Sequence, residues 1–377
     1  MRIIVIGSGI IGTSVAYRLG QGGADVTVLE ERRIGGGTSS TSYAWVNACE
    51  KLSSHDYFRL NFAGRAAHAR IAGELDGAVW YPRPGVLQWQ GASAEAGGVD
   101  PSDQTDKFGI LQDWGYPAEL LDGKGLQRLE PEIAAAALDS SPVIHYPEDG
   151  WCYPVLCAGA VAQAARQRHG VRFVAATVAR IVVSGDRCSG VVLADGTTLD
   201  ADIVVNCAGR WANDVLTNSV APIPLAPTAG IVAYTLPAGI GLRRGLRTPA
   251  VNLRPDGAGR LLLRAGDLDK HVQPDAPAVV NQPLADELLA RARALLPGLA
   301  DVGLETWRIA IRPQPADGYS AIGPMPGLAG YYACVTHSGV TLAPFIGEAV
   351  AAELLTGATH GALAPFRPQR FFEGETA

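Results

Sequence analysis

The sequence predicts an α/β protein in two parts, one built on a parallel sheet and one an α+β unit on a mixed sheet, each assembled from separated stretches of chain. Three observations carry that expectation. The chain has 377 residues, beyond the ~250–300 at which a single hydrophobic core stops growing. It opens on an alternation of strand, glycine-rich turn, helix and strand within residues 2–30. Later α/β pieces of the same kind are interrupted by a proline- and glycine-rich β stretch over 222–265. Hydrophobic residues make up 47% and charged residues 18%, a balance that builds large cores and rules out a disordered chain. The formal net charge of −6 gives no electrostatic reason to hold a phosphate backbone, so nucleic acid is not an expected partner.

In chain order, Arg2–Ile6 is a short apolar strand suited to a sheet covered on both faces. A helix from about Ile11 to Gly20 aligns Val15, Ala16 and Leu19, and Asp25–Glu30 is a second buried strand. Asn61–Leu75 reads as an alanine-rich helix with Arg65, His68 and Arg70 on its solvent side. Between Val79 and Gln90 the pattern turns aromatic and strand-like, marking a change of domain. Pro154–Gln167 is a helix that leads into strands at Val171–Ala175, Ala179–Val183 and Gly190–Ala194. The Asp195–Gly196 turn then brings back Thr197–Leu199. Asp202–Cys207 is another buried strand, and Pro222–Ala265 alternates as β structure. Ala285–Leu296 is a helix ended by Pro297–Gly298, Tyr331–Val335 a strand and Leu342–Leu355 a final amphipathic helix. The expected division is 1–78, 150–215 and 308–377 for the parallel-sheet unit, with 79–149 and 216–307 for the other.

The six cysteines lie at 49, 152, 157, 188, 207 and 334, with no CxxC pair and no histidine near two of them. Neither a metal site nor a disulfide framework is expected, but buried thiols in a cytoplasmic protein are. Neither a signal peptide nor a membrane-spanning run is expected.

Gly7-Ser8-Gly9-Ile10-Ile11-Gly12 fits GxGxxG, a weak pattern on its own. Here it follows a strand, opens a helix and is answered by Glu30 at the end of the next strand, which makes the unit Rossmann-like. Gly7 forms the tight turn, Gly9 lets backbone approach a pyrophosphate, and Gly12 lets helix and strand pack closely. Glu30 would bond ribose hydroxyls. A nicotinamide enzyme needs little beyond this unit. The run Glu31-Arg32-Arg33-Ile34-Gly35-Gly36-Gly37-Thr38-Ser39-Ser40 can instead wrap a longer cofactor. Asn206-Cys207-Ala208-Gly209 ends a strand in small residues, and Thr336-His337-Ser338-Gly339-Val340-Thr341-Leu342-Ala343-Pro344 aims a helix N-terminus at an anion such as the N1–O2 edge of a reduced flavin.

These motifs, in this order over nearly the whole chain, resemble the D-amino acid oxidase/glycine oxidase family of FAD-dependent oxidoreductases, and most of all its bacterial glycine-oxidase-like branch. The resemblance implies a GR2-type FAD-binding domain beside a substrate domain. It carries the pyrophosphate turn onto Gly7, Gly9 and Gly12, with Ile10 and Ile11 between them, and the ribose contact onto Glu30 and Glu31. Thr38 and Ser39 match hydroxyls near the phosphates, and Val178 the backbone that meets adenine. Ala208, Gly209 and Trp211 match the small-residue turn beside the dinucleotide, and Ser338, Gly339, Val340 and Thr341 the loop at the flavin's pyrimidine edge. Arg312 matches the arginine that binds the substrate carboxylate. A structural ion pair is the other reading of Arg312.

The chain also departs from the family. Asn252 stands where amino acid oxidases of the family place a second carboxylate-binding tyrosine, and Tyr234 is nearby in sequence. Trp45, within Tyr43-Ala44-Trp45-Val46-Asn47, is either a wall of the substrate pocket or a core aromatic. His337 is read as orienting a loop rather than as a base, and Asp317 as a turn residue. With no histidine in Thr38–Ser42 and no cysteine beside Arg312, the FAD is expected to be non-covalent.

The resemblance implies oxidation of a small amino acid, whether glycine, an N-substituted glycine or a D-amino acid. The imine would hydrolyse to an oxo acid plus ammonia or amine, with dioxygen or a quinone as acceptor. A homo-oligomer is left open. The rivals are a quinone-linked dehydrogenase, the flavin domain of a tRNA-modifying enzyme, an NAD-dependent hydroxy-acid dehydrogenase and a non-enzymatic flavin module.

Overall fold

The computed structural model describes residues 1–75, 79–91, 104–137 and 142–372. At its centre is a six-stranded sheet in the order Ala321–Pro324, Tyr331–Val335, Ile203–Asn206, Arg2–Ile6, Asp25–Glu30, Arg172–Ala175. Its inner pairings are parallel, with Ile3 opposite Ile203 and Val26. The apolar run of the first strand is divided between two cores. Ile3 and Val5 pack under the helices Ile10–Gln21, Pro154–His169 and Gly339–Thr356, while Ile4 and Ile6 face a three-stranded antiparallel sheet through Ile181 and Val191. Both faces are covered, as a continuous apolar strand requires.

A second, eight-stranded sheet runs Leu304–Pro315, Leu225–Thr235, Leu261–Arg264, Asn252–Pro255, Gly245–Arg247, Val86–Gln88, Val143–Tyr146, Glu119–Leu121. All its pairs are antiparallel except Gly245–Arg247 with Val86–Gln88, so it is mixed. Leu253 and Leu263 pack one face against Leu288, Leu289 and Ala292 of the helix Ala278–Leu295. On the opposite face Val232 and Leu262 meet an aromatic layer of Tyr43, Trp45, Phe58, Tyr116 and Tyr146. The fold is therefore α/β with a parallel-sheet unit and a mixed-sheet α+β unit.

Several elements differ from the sequence expectation. The second helix spans His55–Glu74 and is capped by Ser54, whose hydroxyl accepts from the Tyr57 amide. Arg65 and His68 are buried rather than solvated: His68 lies against the 339–356 helix at Val340, and Arg65 packs over Tyr116 and reaches Glu148 and Asp149; of the three only Arg70 is exposed. Within 79–90 only Val86–Gln88 is strand, since Pro82 and Pro84 precede it. The long strand Leu304–Pro315 has no counterpart in the expectation, and the helix expected to start at Ala285 begins at Ala278 and runs through Pro283. All six cysteines are free and buried. Among the described residues, Gly339–Thr356 is the one helix long and apolar enough to cross a bilayer, and its apolar side chains lie in the core beside the 10–21 and 55–74 helices.

Candidate active site

The glycine turn behaves as its spacing demands. Gly7 has φ +91°, and a Cβ there would lie 2.8 Å from the Cys207 carbonyl oxygen. At Gly12 a Cβ would stand 2.0 Å from the Gly7 carbonyl oxygen, so only glycine lets the 10–21 helix start this close to the first strand. Glu30 turns its carboxylate back onto the turn. Oε2 accepts from the Ser8 amide and hydroxyl, both at 2.8 Å, and Oε1 from the Arg32 amide at 3.0 Å. The Ser39 hydroxyl accepts from the Ile10 amide at 3.2 Å, and Thr38 donates to the Ile311 carbonyl at 3.0 Å, which ties the hydroxyl run to the second sheet.

These residues line an open groove of about 1370 Å³, continuous with solvent. Gly7, Gly9, Ile10, Ile11, Glu30, Glu31, Thr38, Ser39, Val178, Ala208, Gly209, Trp211, Gly339 and Val340 all face it. Three residues of the expected set do not: Gly12 lies beneath the turn, and Ser338 and Thr341 face a neighbouring cavity.

That cavity, itself open to solvent, shares Thr38, Ser42, Pro313, His337 and Val340 with the groove, so each opens onto the other. Its walls include Tyr43, Ala44, Trp45, Gly230, Val232, Ala310, Arg264 and Arg312. Ala44 has φ +61°, a left-handed backbone that costs a residue with a Cβ about 1 kcal/mol. Among the described lining residues the charged side chains are Arg264 and Arg312, and both reach the same carboxylate. Arg312 Nη2 stands 2.5 Å from Asp269 Oδ2, and Arg264 Nη2 is 3.1 Å from that oxygen. Arg312 Nη1 also donates to the Ala229 carbonyl at 3.1 Å. The ion-pair reading of Arg312 is thus realised, and the side chain still lines the cavity.

Asn252 does not line the cavity. It sits 1% exposed between Arg247 and Arg264 in the strand ladder, and its Oδ1 has no hydrogen-bond partner among the described residues. One ladder position further, Arg264 occupies the wall, a residue the sequence reading passed over. Tyr234 lines neither space and stacks with Arg260 and Arg308. Asp317 accepts from the Tyr319 amide, as a turn residue before Gly318 should.

Trp45 is both wall and core. Its indole Nε1 donates to Asp149 Oδ2 at 3.0 Å, and the Arg247 guanidinium lies 4.9 Å from its ring centre. Asp149 is fully buried; the Tyr116 hydroxyl donates to its Oδ1 at 2.6 Å and Arg65 Nε stands 3.5 Å away. Burial pushes its carboxyl up to about 7, against the pull of Arg65 and the two hydrogen bonds. Arg247, itself without solvent exposure, is bonded to Glu50, which also pairs with Lys107 and Gln88.

The family model described as FAD dependent oxidoreductase, DAO, matches residues 2–353. The chain belongs to this family. It is an FAD-dependent oxidoreductase. It is 26% identical over 368 residues to a glycine oxidase of Bacillus licheniformis, covering 93% of this chain and 92% of that one. Among solved structures it is similar in fold to an L-proline dehydrogenase from P. horikoshii, with a TM-score of 0.82 and 21% identity across 99% of this chain and 98% of that one. It is also similar to an iminodiacetate oxidase from Chelativorans sp. BNC1, with a TM-score of 0.80 and 21% identity across 97% and 99% of the two chains. The groove fits FAD on its own chemistry. It offers a turn that a Cβ would fill, a carboxylate at the ribose position and first-turn amides of two helices.

Proposed function

We propose that this oxidoreductase acts on the C–N bond of a small amino acid whose carboxylate is held by Arg312 and Arg264. The observation that supports this most is the pair of guanidinium groups at the cavity wall. Arg264 and Arg312 come from different strands, both line the space, and both are held in place by Asp269. A substrate carboxylate would meet them there, and guanidinium forks favour planar two-bond contacts with such a group. A substrate held there lies beside Val340 and His337, where cavity and groove meet, so its Cα faces the cofactor's end of the site.

FAD, bound non-covalently along the groove by Gly7, Gly9, Glu30, Thr38, Ser39 and Val340, supplies the two-electron acceptor. The chain's own part is to hold the carboxylate, to wall the cavity with Trp45, Tyr43, Val232 and Ala310, and to keep bulk water from the reacting carbon. Loss of two electrons and two protons would turn the amine into an imine, which water cleaves to an oxo acid plus ammonia or an amine. Substituted glycines or bulkier amino acids are preferred to glycine. Support for that preference rests on the apolar side chains of Tyr43, Trp45, Val232 and Ala310 in the cavity wall.

The test is anaerobic bleaching of the purified yellow protein with glycine, sarcosine, longer N-alkylglycines, D- and L-amino acids and the matching amines without carboxylate. Bleaching by carboxylated substrates alone is expected. Equal bleaching by the decarboxylated amines would overturn the anchor, and an optimum at glycine would overturn the preference. Admitting air and then a quinone identifies the acceptor.

A further inference from the structure

The 339–356 helix carries Pro344 in its second turn, and Pro344 has no N–H for the carbonyl four residues back, that of Val340. The proline ring also crowds that carbonyl away from the helix axis. His68, on the crossing 55–74 helix and without solvent exposure, meets it: Nε2 lies 2.7 Å from the Val340 oxygen. A carbonyl only accepts, so the proton sits on Nε2. Nδ1 has no partner among the described residues. Two further contacts press the same helix onto the same turn. The Tyr57 hydroxyl bonds the Ser338 hydroxyl at 2.8 Å, and a Cβ on Gly64 would stand 2.5 Å from the Thr341 carbonyl oxygen. Tyr57, Gly64 and His68 form one stripe of the helix, facing the turn whose first amides have no intrahelical partner and whose Val340 lines both cavity and groove.

We propose that His68 is a positioning residue for the flavin: by donating to the carbonyl that Pro344 leaves without a helical donor, it fixes the Gly339–Thr341 turn against the cofactor. Burial lowers the histidine to about 4, so it stays a neutral donor across the working pH range. The proposal concerns the cofactor and is independent of which amine the cavity takes.

The experiment compares His68→Leu, His68→Gln, Pro344→Ala and the double variant H68L/P344A, reading FAD affinity of the apoprotein, the flavin midpoint potential and Tm. His68→Leu is expected to weaken FAD binding on the order of tenfold, as a buried carbonyl loses its donor, and to lower the potential. His68→Gln, which can still donate, should stay near wild type. Pro344→Ala supplies an N–H to the same carbonyl, so the double variant should recover to within about twofold. A fall in Tm with unchanged affinity and potential would show a merely structural histidine and overturn the proposal. Loss without recovery in the double variant overturns it too, since the effect would not run through Val340. Should His68→Leu fail to fold, nitrogen-labelled histidine spectra of the wild-type protein decide. A protected Nε2 proton whose shift moves on FAD removal is expected, and an Nδ1 proton or a signal blind to FAD overturns it.

Discussion

Around the groove, the contacts on offer include the backbone of the Gly7 turn, the first amides of two helices and the hydroxyls of Ser39 and Thr38, with carboxylates at Glu30, Glu31 and Asp214. The cavity beside it presents side chains, and its charge comes from Arg264 and Arg312 on two strands separated by a third, tied by Asp269. A ligand common to a whole family can be held by main chain, which sequence drift leaves in place. A variable substrate needs groups that single substitutions can change. The two regions should therefore fail differently when mutated.

The largest effect is expected in the groove. Gly12→Val places a branched side chain where even a Cβ would be 2.0 Å from the Gly7 carbonyl oxygen. Overpacking on the order of 3 kcal/mol should yield colourless or insoluble protein, read as flavin per chain and as Tm. Normal flavin content in this variant would break the contrast, because the groove would then tolerate what its geometry forbids. Next comes the cavity. Arg312→Ala should keep the flavin and lower kcat/KM by about 10²–10³. Arg312→Lys should recover little, as a point charge lacks the fork, and Arg264→Ala should cost less, about tenfold or more. Flavin loss in either arginine variant would mean that the two regions are not separable.

A third expectation concerns the layer behind Trp45. Because burial raises the Asp149 carboxyl to about 7, the folded protein holds this proton more tightly than the unfolded chain, whose carboxyl titrates near 4. The stabilisation is complete below pH 4 and is lost as pH rises through 7, about 2 kcal/mol of it between pH 5 and 7. Asp149→Asn should flatten that slope in denaturation curves measured across the range. An unchanged slope would assign the proton to another group. The smallest effect is at Ala44, whose φ of +61° predicts that Ala44→Gly raises stability by at most about 1 kcal/mol, seen as a small rise in Tm with flavin content intact.

The groove was legible because its determinants are contiguous: a strand, three glycines and an acidic residue lie within residues 2–30. The cavity was legible only where one motif pointed to one residue. Arg312 was found, but its companion Arg264 reaches the wall through strand register, with Asn252 opposite it, and register is not written in any local pattern; the carboxylate both arginines share, Asp269, comes from the short helix Gly266–Asp269. The same limit misplaced His68. Helical periodicity assigns residues to a face, yet it does not say that another helix covers it. The 304–315 strand is a different case, since Trp307, Ile309 and Ile311 alternate plainly in the sequence beside the Arg-Pro motif.

That strand has a consequence for how such a protein can diversify. It carries Arg312, accepts a hydrogen bond from Thr38 at the Ile311 carbonyl, and reaches the Ser40 carbonyl through Arg308. It is also paired along nearly its whole length with Leu225–Thr235, Thr228 standing opposite Arg312. It works as a gauge, setting the spacing between the Thr38–Ser40 loop and Arg312. A slip of two residues would carry the anchor roughly 7 Å along the sheet and leave the loop behind. An insertion or deletion in this strand would break that spacing, whereas substitutions at Tyr43, Trp45 or Val232 would reshape the cavity wall without moving it.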